Sequence, residues 1–338
     1  MSAEFAGMLG NIQTKNGFIM AQDSEVVTSK ILEKVPLAEH SNYRIGGPAR
    51  YFCEAANEED IRGAVQFARE QNLPLFILGG GTNLLISDAG FSGLMLKVSL
   101  MQLKLDAKER VVTVGAGVSV ADLLKFTIQH SLSGLEWAGG LPGTVGGAIR
   151  GNAGAFGGEI KDRIVSVDSF DVETMETIHR ENAECKFGYR SSIFKEKNGR
   201  EIILSGKIRL EAGDLQKIAS GVQDKINYRM ERHPMEYPNI GSTFKNVDLK
   251  LVPKVWHKMV EKVIKVDPFP VVPTAYLISE TGLRGTQQGA AMVSPKHPNF
   301  IVNLGGAKAE DVKFLIARVK EAVFEKYGIH LEEEIQLV

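Results

Sequence analysis

The sequence predicts a protein of mixed helices and strands, of the α+β or α/β class, on three observations. Apolar stripes at helical spacing recur, short apolar runs of strand length break at glycines, and the two kinds of segment alternate along the chain. Residues 1–30 are polar and weakly periodic and read as an arm. Asn57 is placed to cap a helix whose first turn is Glu58, Glu59 and Asp60 and whose stripe is Ile61, Ala64, Val65 and Ala68. Leu75–Leu78 then reads as a buried strand ending in a glycine loop. Val111–Val114 repeats the pattern, followed by a capping box of Ser119 and Asp122 and a helix through Leu123, Leu124 and Ile128. Nine glycines fall between Gly139 and Gly158, a density that argues against regular helix there. Residues 164–170 and 202–210 read as strands. Asp214 caps a helix with the stripe Leu215, Ile218, Val222 and Ile226, and the breaks at Pro234 and Pro238 mark a domain boundary. A short strand over 242–245 and a basic, Val-rich stretch (250–266) follow. The strongest helix spans Ala309–Tyr327, stopped by Gly328, and a terminal strand spans Ile329–Val338.

Composition narrows the function classes. The 338 residues allow two or three domains; 40 Lys+Arg against 41 Asp+Glu leave a net charge of -1, so no overall basic field invites nucleic acid. No run of 18 apolar residues and no secretory h-region occurs, so neither a membrane span nor a signal is expected. Two cysteines, Cys53 and Cys185, suit reduced thiols in a cytoplasmic protein. No motif calls for a metal. Glycine is in excess, 35 residues or about a tenth against a usual ~7%.

The excess is clustered where chemistry could sit. Gly79-Gly80-Gly81-Thr82-Asn83-Leu84 follows a buried strand, and consecutive backbone amides in such a turn suit a pyrophosphate, although a tight structural turn would look the same. It is neither G-x-G-x-x-G nor a P-loop. The second stretch offers Gly140, Pro142, Thr144, Gly147, Asn152 and Gly154 for another close approach. Two such loops suit a long ligand with a phosphate centre, such as a flavin dinucleotide. Tyr189-Arg190 and the segment 241–246 set polar groups beside apolar ones. Glu332-Glu333-Glu334 would by composition be a solvated charge run.

In order, NYRIGGPARYF (42–52), LGGGTNLLISDAGFSGL (78–94), WAGGLPGTVGGAIRGNAGAFGGE (137–159), FGYRSSIF (187–194), GSTFKN (241–246), SPKHPNFIVNLGGA (294–307) and LEEEI (331–335) resemble the UDP-N-acetylenolpyruvoylglucosamine reductases of peptidoglycan synthesis. The likeness runs from Val35 to Val338. It implies an α+β protein: a two-subdomain FAD-binding region of the vanillyl-alcohol-oxidase type over 31–212, split near 105, and an α+β substrate domain over 213–338. It further implies FAD as cofactor, NADPH as co-substrate, a UDP-sugar substrate, no nucleic-acid or membrane partner, and a cytoplasmic monomer. The reaction would pass a hydride from reduced flavin to the enolpyruvyl β-carbon and a proton to the α-carbon.

On this resemblance Arg190 and Glu334 stabilise the intermediate and Ser242 gives the proton. Glu334 is singled out as the acid just before Ile335. A fixed cation stabilises charge most where it develops, a carboxyl helps if it can donate, and a carbanion-like centre is basic enough to take a serine proton. Tyr189, Lys245 and Asn246 would bind substrate, with Lys245 meeting the phosphates. Three departures stand out. Pro273–Glu280 replaces the usual P-A-G-x-L-I-E, 247–272 is long and basic with no role assigned, and no tyrosine-bearing inserted loop is visible, as in the loop-less subclass. The alternatives are another flavin-dependent sugar or alcohol oxidoreductase, although the glycine loops lack the His or Cys that tethers flavin, and a silent nucleotide-binding paralogue, which would not need Arg190, Ser242 and Glu334 together.

Overall fold

The computed structural model describes residues 30–266 and 269–338; the arm read over 1–30 lies, but for Lys30, outside them. Strands β1 (Ile31–Pro36), β2 (Pro48–Ala55), β3 (Leu75–Leu78) and β4 (Phe91–Val98) form a first sheet in the order β1-β2-β4-β3. β1 pairs antiparallel with β2, whereas β2 and β3 run parallel to β4. Helix α1 (Glu58–Glu70) lies between β2 and β3 in the chain. Its start is fixed by Asn57, whose side chain accepts the Asp60 amide at 2.8 Å, and it buries the expected Ile61, Ala64, Val65 and Ala68. Strands β5 (Leu103–Asp106), β6 (Val111–Gly115), β7 (Ile164–Asp171), β8 (Glu176–Glu181) and β9 (Glu201–Arg209) make an antiparallel second sheet, ordered β8-β7-β9-β6-β5. Helix α2 (Val120–Gln129) opens at Ser119, whose Oγ accepts the Asp122 amide at 3.0 Å. One apolar core joins Leu94 and Leu96 of the first sheet to Val112 and Val114 of the second and to Leu123 of α2.

Four expectations change. The glycine-rich stretch contains a helix, α3 (Val145–Gly151), capped by Thr144. Packing overrides propensity here: a β-carbon on Gly146 would lie 2.8 Å from the Ala116 β-carbon, so glycine lets the helix sit against the β6 turn. Residues 242–245 form a single bridge, Phe244 to Glu333, and not a strand. The terminal strand shrinks to Gln336–Leu337, which runs parallel to Leu84–Leu85. Helix α4 (Leu215–Arg232) follows its Asp214 cap, which accepts the Lys217 amide at 2.9 Å, but Leu215 of its expected stripe is exposed.

A second core is built around helix α5 (Ala309–Tyr327), which buries Val312, Leu315, Ile316, Val319 and Val323 and ends at Gly328 with φ +67°. Tyr43, Ile45 and Leu85 belong to this core although they come from the N-terminal part of the chain. Tyr43 Oη donates to the Ile301 carbonyl at 2.8 Å, and Asn303 Nδ2 donates to the Tyr43 carbonyl at 3.0 Å.

Candidate active site

The two glycine loops meet. A β-carbon on Gly80 would stand 2.8 Å from the Gly143 α-carbon, and one on Gly81 (φ +61°) would stand 2.0 Å from the His40 carbonyl oxygen. Glycine at these positions is therefore what lets the backbones touch. The amides of Gly79, Gly80, Gly81, Thr82 and Asn83 donate no hydrogen bond to any described residue. Five consecutive N–H groups without a partner among the described residues are free to hold an anion such as a pyrophosphate. Thr144 closes one side, its Oγ1 accepting the Gly147 amide at 3.4 Å; Pro142 lies between Gly140 (φ +71°) and Gly143 (φ +101°) in the same loop. Two of the residues expected at a ligand, Asn83 and Asn152, turn their side chains elsewhere. Asn83 Nδ2 donates to the Glu334 carbonyl at 2.9 Å, and Leu84 pairs with Gln336. Asn152 is fully buried, its Nδ2 donating to the Gly188 carbonyl at 2.9 Å and its Oδ1 accepting the Lys161 amide at 3.3 Å. Both side chains tie loops together.

The three catalytic candidates are assembled by the C-terminal segment. Because Gln336–Leu337 pairs beside Leu84–Leu85, the preceding glutamates run along residues 243–245: the Glu334 amide donates to the Thr243 carbonyl at 2.8 Å and the Lys245 amide to the Glu332 carbonyl at 2.9 Å. Each glutamate takes a different cation. Glu332 pairs with Lys245, Glu333 with Lys320 at 3.0 Å, and Glu334 with Arg190, whose Nε donates to Oε1 at 2.8 Å. Arg190 Nη2 also donates to the Gly154 carbonyl at 3.0 Å. Glu334 thus accepts from the guanidinium, where the sequence had suggested a donating carboxyl. Ser242 adjoins Thr243; it is half-buried, and its hydroxyl has no hydrogen-bond partner among the described residues. Asn299 holds this turn, accepting the Phe244 amide at 3.0 Å and donating to the Phe244 carbonyl at 2.8 Å.

A cleft of about 870 Å³ opens beside this assembly. Gly154, Tyr189, Arg190 and Asn246 of the expected residues line it; Glu334 reaches it through Arg190, and Lys245 adjoins Asn246. Tyr189 stands edge-on to Phe269 at 5.2 Å, and burial raises its phenol. Asn246 Oδ1 accepts the Thr274 amide at 3.3 Å, so the altered 273–280 segment, a short helix, docks directly on the substrate-binding candidates.

Sequence reasoning missed the basic wall of this cleft, which includes Arg229, Arg232, Lys265 and Lys296. The signal was available: Arg229 and Arg232 sit one turn apart at the end of α4. Arg229 Nε donates to the Gly139 carbonyl at 2.9 Å, while its buried Nη2 has no partner among the described residues. Burial, then the neighbouring Arg190, lowers its basicity. His233 and His297 stack edge-to-face at 5.1 Å in the same wall, both pushed down to about 4 by burial. A cation-rich wall with an unpaired guanidinium arm can hold an anionic ligand.

A model of the UDP-N-acetylenolpyruvoylglucosamine reductase C-terminal domain matches residues 233–338, and an FAD binding domain model matches 49–178. The UDP-N-acetylenolpyruvoylglucosamine reductase of Clostridium perfringens is 35% identical over 303 residues, 90% of this chain and 91% of that one. The protein of that name from Caldanaerobacter subterraneus is 35% identical over 309 residues, 91% of this chain and 94% of the other. The crystal structure of the Thermus caldophilus UDP-N-acetylenolpyruvylglucosamine reductase superposes with a TM-score of 0.71 at 28% identity, covering 90% of this chain and 98% of that one.

Proposed function

The chain belongs to the UDP-N-acetylenolpyruvoylglucosamine reductase family, and on that premise we propose that Arg190, Glu334 and Ser242 carry its reaction. The enzyme is an FAD-dependent oxidoreductase that reduces UDP-N-acetylglucosamine enolpyruvate to UDP-N-acetylmuramate in peptidoglycan synthesis, with NADPH as donor. The observation that carries the site reading is the Arg190–Glu334 pair, which selects one glutamate out of three and sets the guanidinium at the cleft.

FAD fits the glycine loops: the free amides of 79–83 would hold its pyrophosphate, with Gly140, Pro142, Thr144 and Gly147 alongside. Flavin held there would supply the hydride chemistry that links NADPH to the enolpyruvyl β-carbon. Negative charge then develops on the α-carbon and its carboxylate. Arg190, held on two sides by Glu334 and the Gly154 carbonyl, meets that charge without reorganising. Glu334 is a positioning group, fixing the guanidinium by its Nε–H. The unengaged hydroxyl of Ser242 delivers the proton to the α-carbon. Tyr189, Asn246 and Lys245 bind the sugar nucleotide, and Arg229 and Arg232 attract its diphosphate. The cofactor half spans 31–212 and the substrate half 213–338; the matched ranges 49–178 and 233–338 fall within them. Two buried, unpaired thiols favour a cytoplasmic setting.

The test is Ser242→Ala. Reduction of the flavin by NADPH should proceed at the parent rate, and reoxidation by the enolpyruvyl substrate should slow by about 10²–10⁴-fold, the usual worth of a positioned acid. Ser242→Cys should recover part of the rate. Parent turnover in the Ala variant would remove Ser242 from the reaction.

A further inference from the structure

Most of the basic stretch after the site goes unused by this chemistry; only Lys265 and Val266, at its end, line the cleft. Between Leu249 and Val266 it carries five lysines, one acid (Glu261) and no arginine. From Lys254 to Val263 it runs as successive short helical turns. Val252, Trp256, Met259, Val260 and Val263 turn against the second core; Trp256 Nε1 donates to the Tyr327 carbonyl at 3.2 Å, and its ring stands edge-on to that of Tyr327 at 5.2 Å. The other side consists of Leu251, Lys254, Val255, Lys258, Glu261 and Lys262, spaced by threes and fours and all exposed. Leu251 is 70%, Val255 77% and Val266 76% exposed, the highest values of any large apolar side chains among the described residues. None of the five lysines forms an ion pair with a described residue, although lysines elsewhere, such as Lys245, Lys296 and Lys320, do.

We infer that this face docks the protein on an anionic lipid bilayer. Unneutralised ammonium groups on a rigid surface are attracted to anionic headgroups, each lysine near such a surface strengthening binding about fivefold. Leu251 and Val255, projecting between them, can enter the headgroup boundary and leave water. The composition separates this occupant from others. Protein interfaces are enriched in aromatic residues and arginine and depleted in lysine, and the aromatic of this segment, Trp256, is turned inward. A single-stranded nucleic acid would need exposed rings for stacking, which the face lacks. No described helix is long and apolar enough to cross a membrane, so the contact is peripheral. The inference is independent of the assignments of Ser242 and Arg190.

Flotation of the full-length protein with phosphatidylcholine vesicles, with and without phosphatidylglycerol, tests it. The protein should float with the anionic vesicles at low salt, be released at high salt, and ignore pure phosphatidylcholine. Lys254→Glu/Lys258→Glu/Lys262→Glu should weaken partitioning by at least about a hundredfold. Leu251→Ser/Val255→Ser should weaken it while keeping the salt dependence. Both variants should reduce flavin with NADPH at the parent rate, showing an intact fold. Absence of flotation at low salt, equal flotation with both vesicle types, unchanged flotation of the triple variant, or equally tight binding to an acidic polypeptide or to duplex DNA would overturn the inference.

Discussion

Arg190 has φ +53°, a left-handed conformation that crowds a side chain against its own carbonyl, and that carbonyl accepts a hydrogen bond from Lys195 Nζ at 2.8 Å. The guanidinium is thus aimed by its backbone as well as by Glu334. Arg190→Lys keeps the charge but not the fork that joins Glu334 to Gly154. NADPH should still bleach the flavin normally, while reoxidation by substrate falls by at least about a hundredfold, the scale of losing one preorganised donor to developing charge. Loss of the bleaching step instead would move Arg190 to the cofactor. The two imidazoles of the cleft wall make a second prediction. Burial pushes His233 and His297 down from 6.5 to about 4, with His297, Arg229 and Lys296 also acting on His233. The folded protein keeps them neutral where the unfolded chain binds protons, so their contribution is present above pH 6.5 and is lost as pH falls from there toward 4. Tm should drop across that window, and His233→Gln should flatten the drop.

The glycine loops and α3 act as one element, because the loop at 79–83 and the loop before α3 are in backbone contact at Gly80 and Gly143. Gly80→Ala places its methyl against backbone, which cannot swing away as a side chain would, so the loops must part by tenths of an ångström. We expect a folded protein with unchanged circular dichroism that purifies with reduced FAD content, read from its flavin absorbance; full occupancy would exclude these amides from the pyrophosphate site. What the sequence made legible was whatever depends on neighbours along the chain: the caps at Asn57, Ser119 and Asp214, the stripes of α1 and α5, the stop at Gly328. What it hid depends on distant partners. α3 exists because Gly146 meets Ala116, Arg229 enters the cleft because its Nε reaches Gly139, and Asn83 and Asn152 are spent on backbone rather than turned to a ligand. The resemblance singles out Glu334, and its geometric distinction from Glu332 and Glu333 lies in three separate cations.

At the scale of the whole molecule, the N-terminal part of the chain repeatedly crosses into the core built around α5. Tyr43 and Ile45 enter the core of α5, Leu84–Leu85 takes the strand Gln336–Leu337, and Val338 accepts the Ser87 amide at 2.7 Å. The expected division between 31–212 and 213–338 therefore does not separate independent folding units. Residues 213–338 expressed alone would lack Tyr43, Ile45 and Leu85 and leave a cavity where they pack, at a cost of about 2–5 kcal/mol for each large side chain lost. That fragment should show no cooperative thermal transition; a sharp one would show that the interlock is dispensable. The same weave bears on a severed backbone. Met235, Glu236 and Tyr237 form an exposed tip between α4 and the turn that carries Ser242. A single cut there should yield two pieces that co-elute on gel filtration with flavin still bound, and, coexpressed from separate genes, they should find each other and restore activity: a split enzyme whose complementation is written into its own threading.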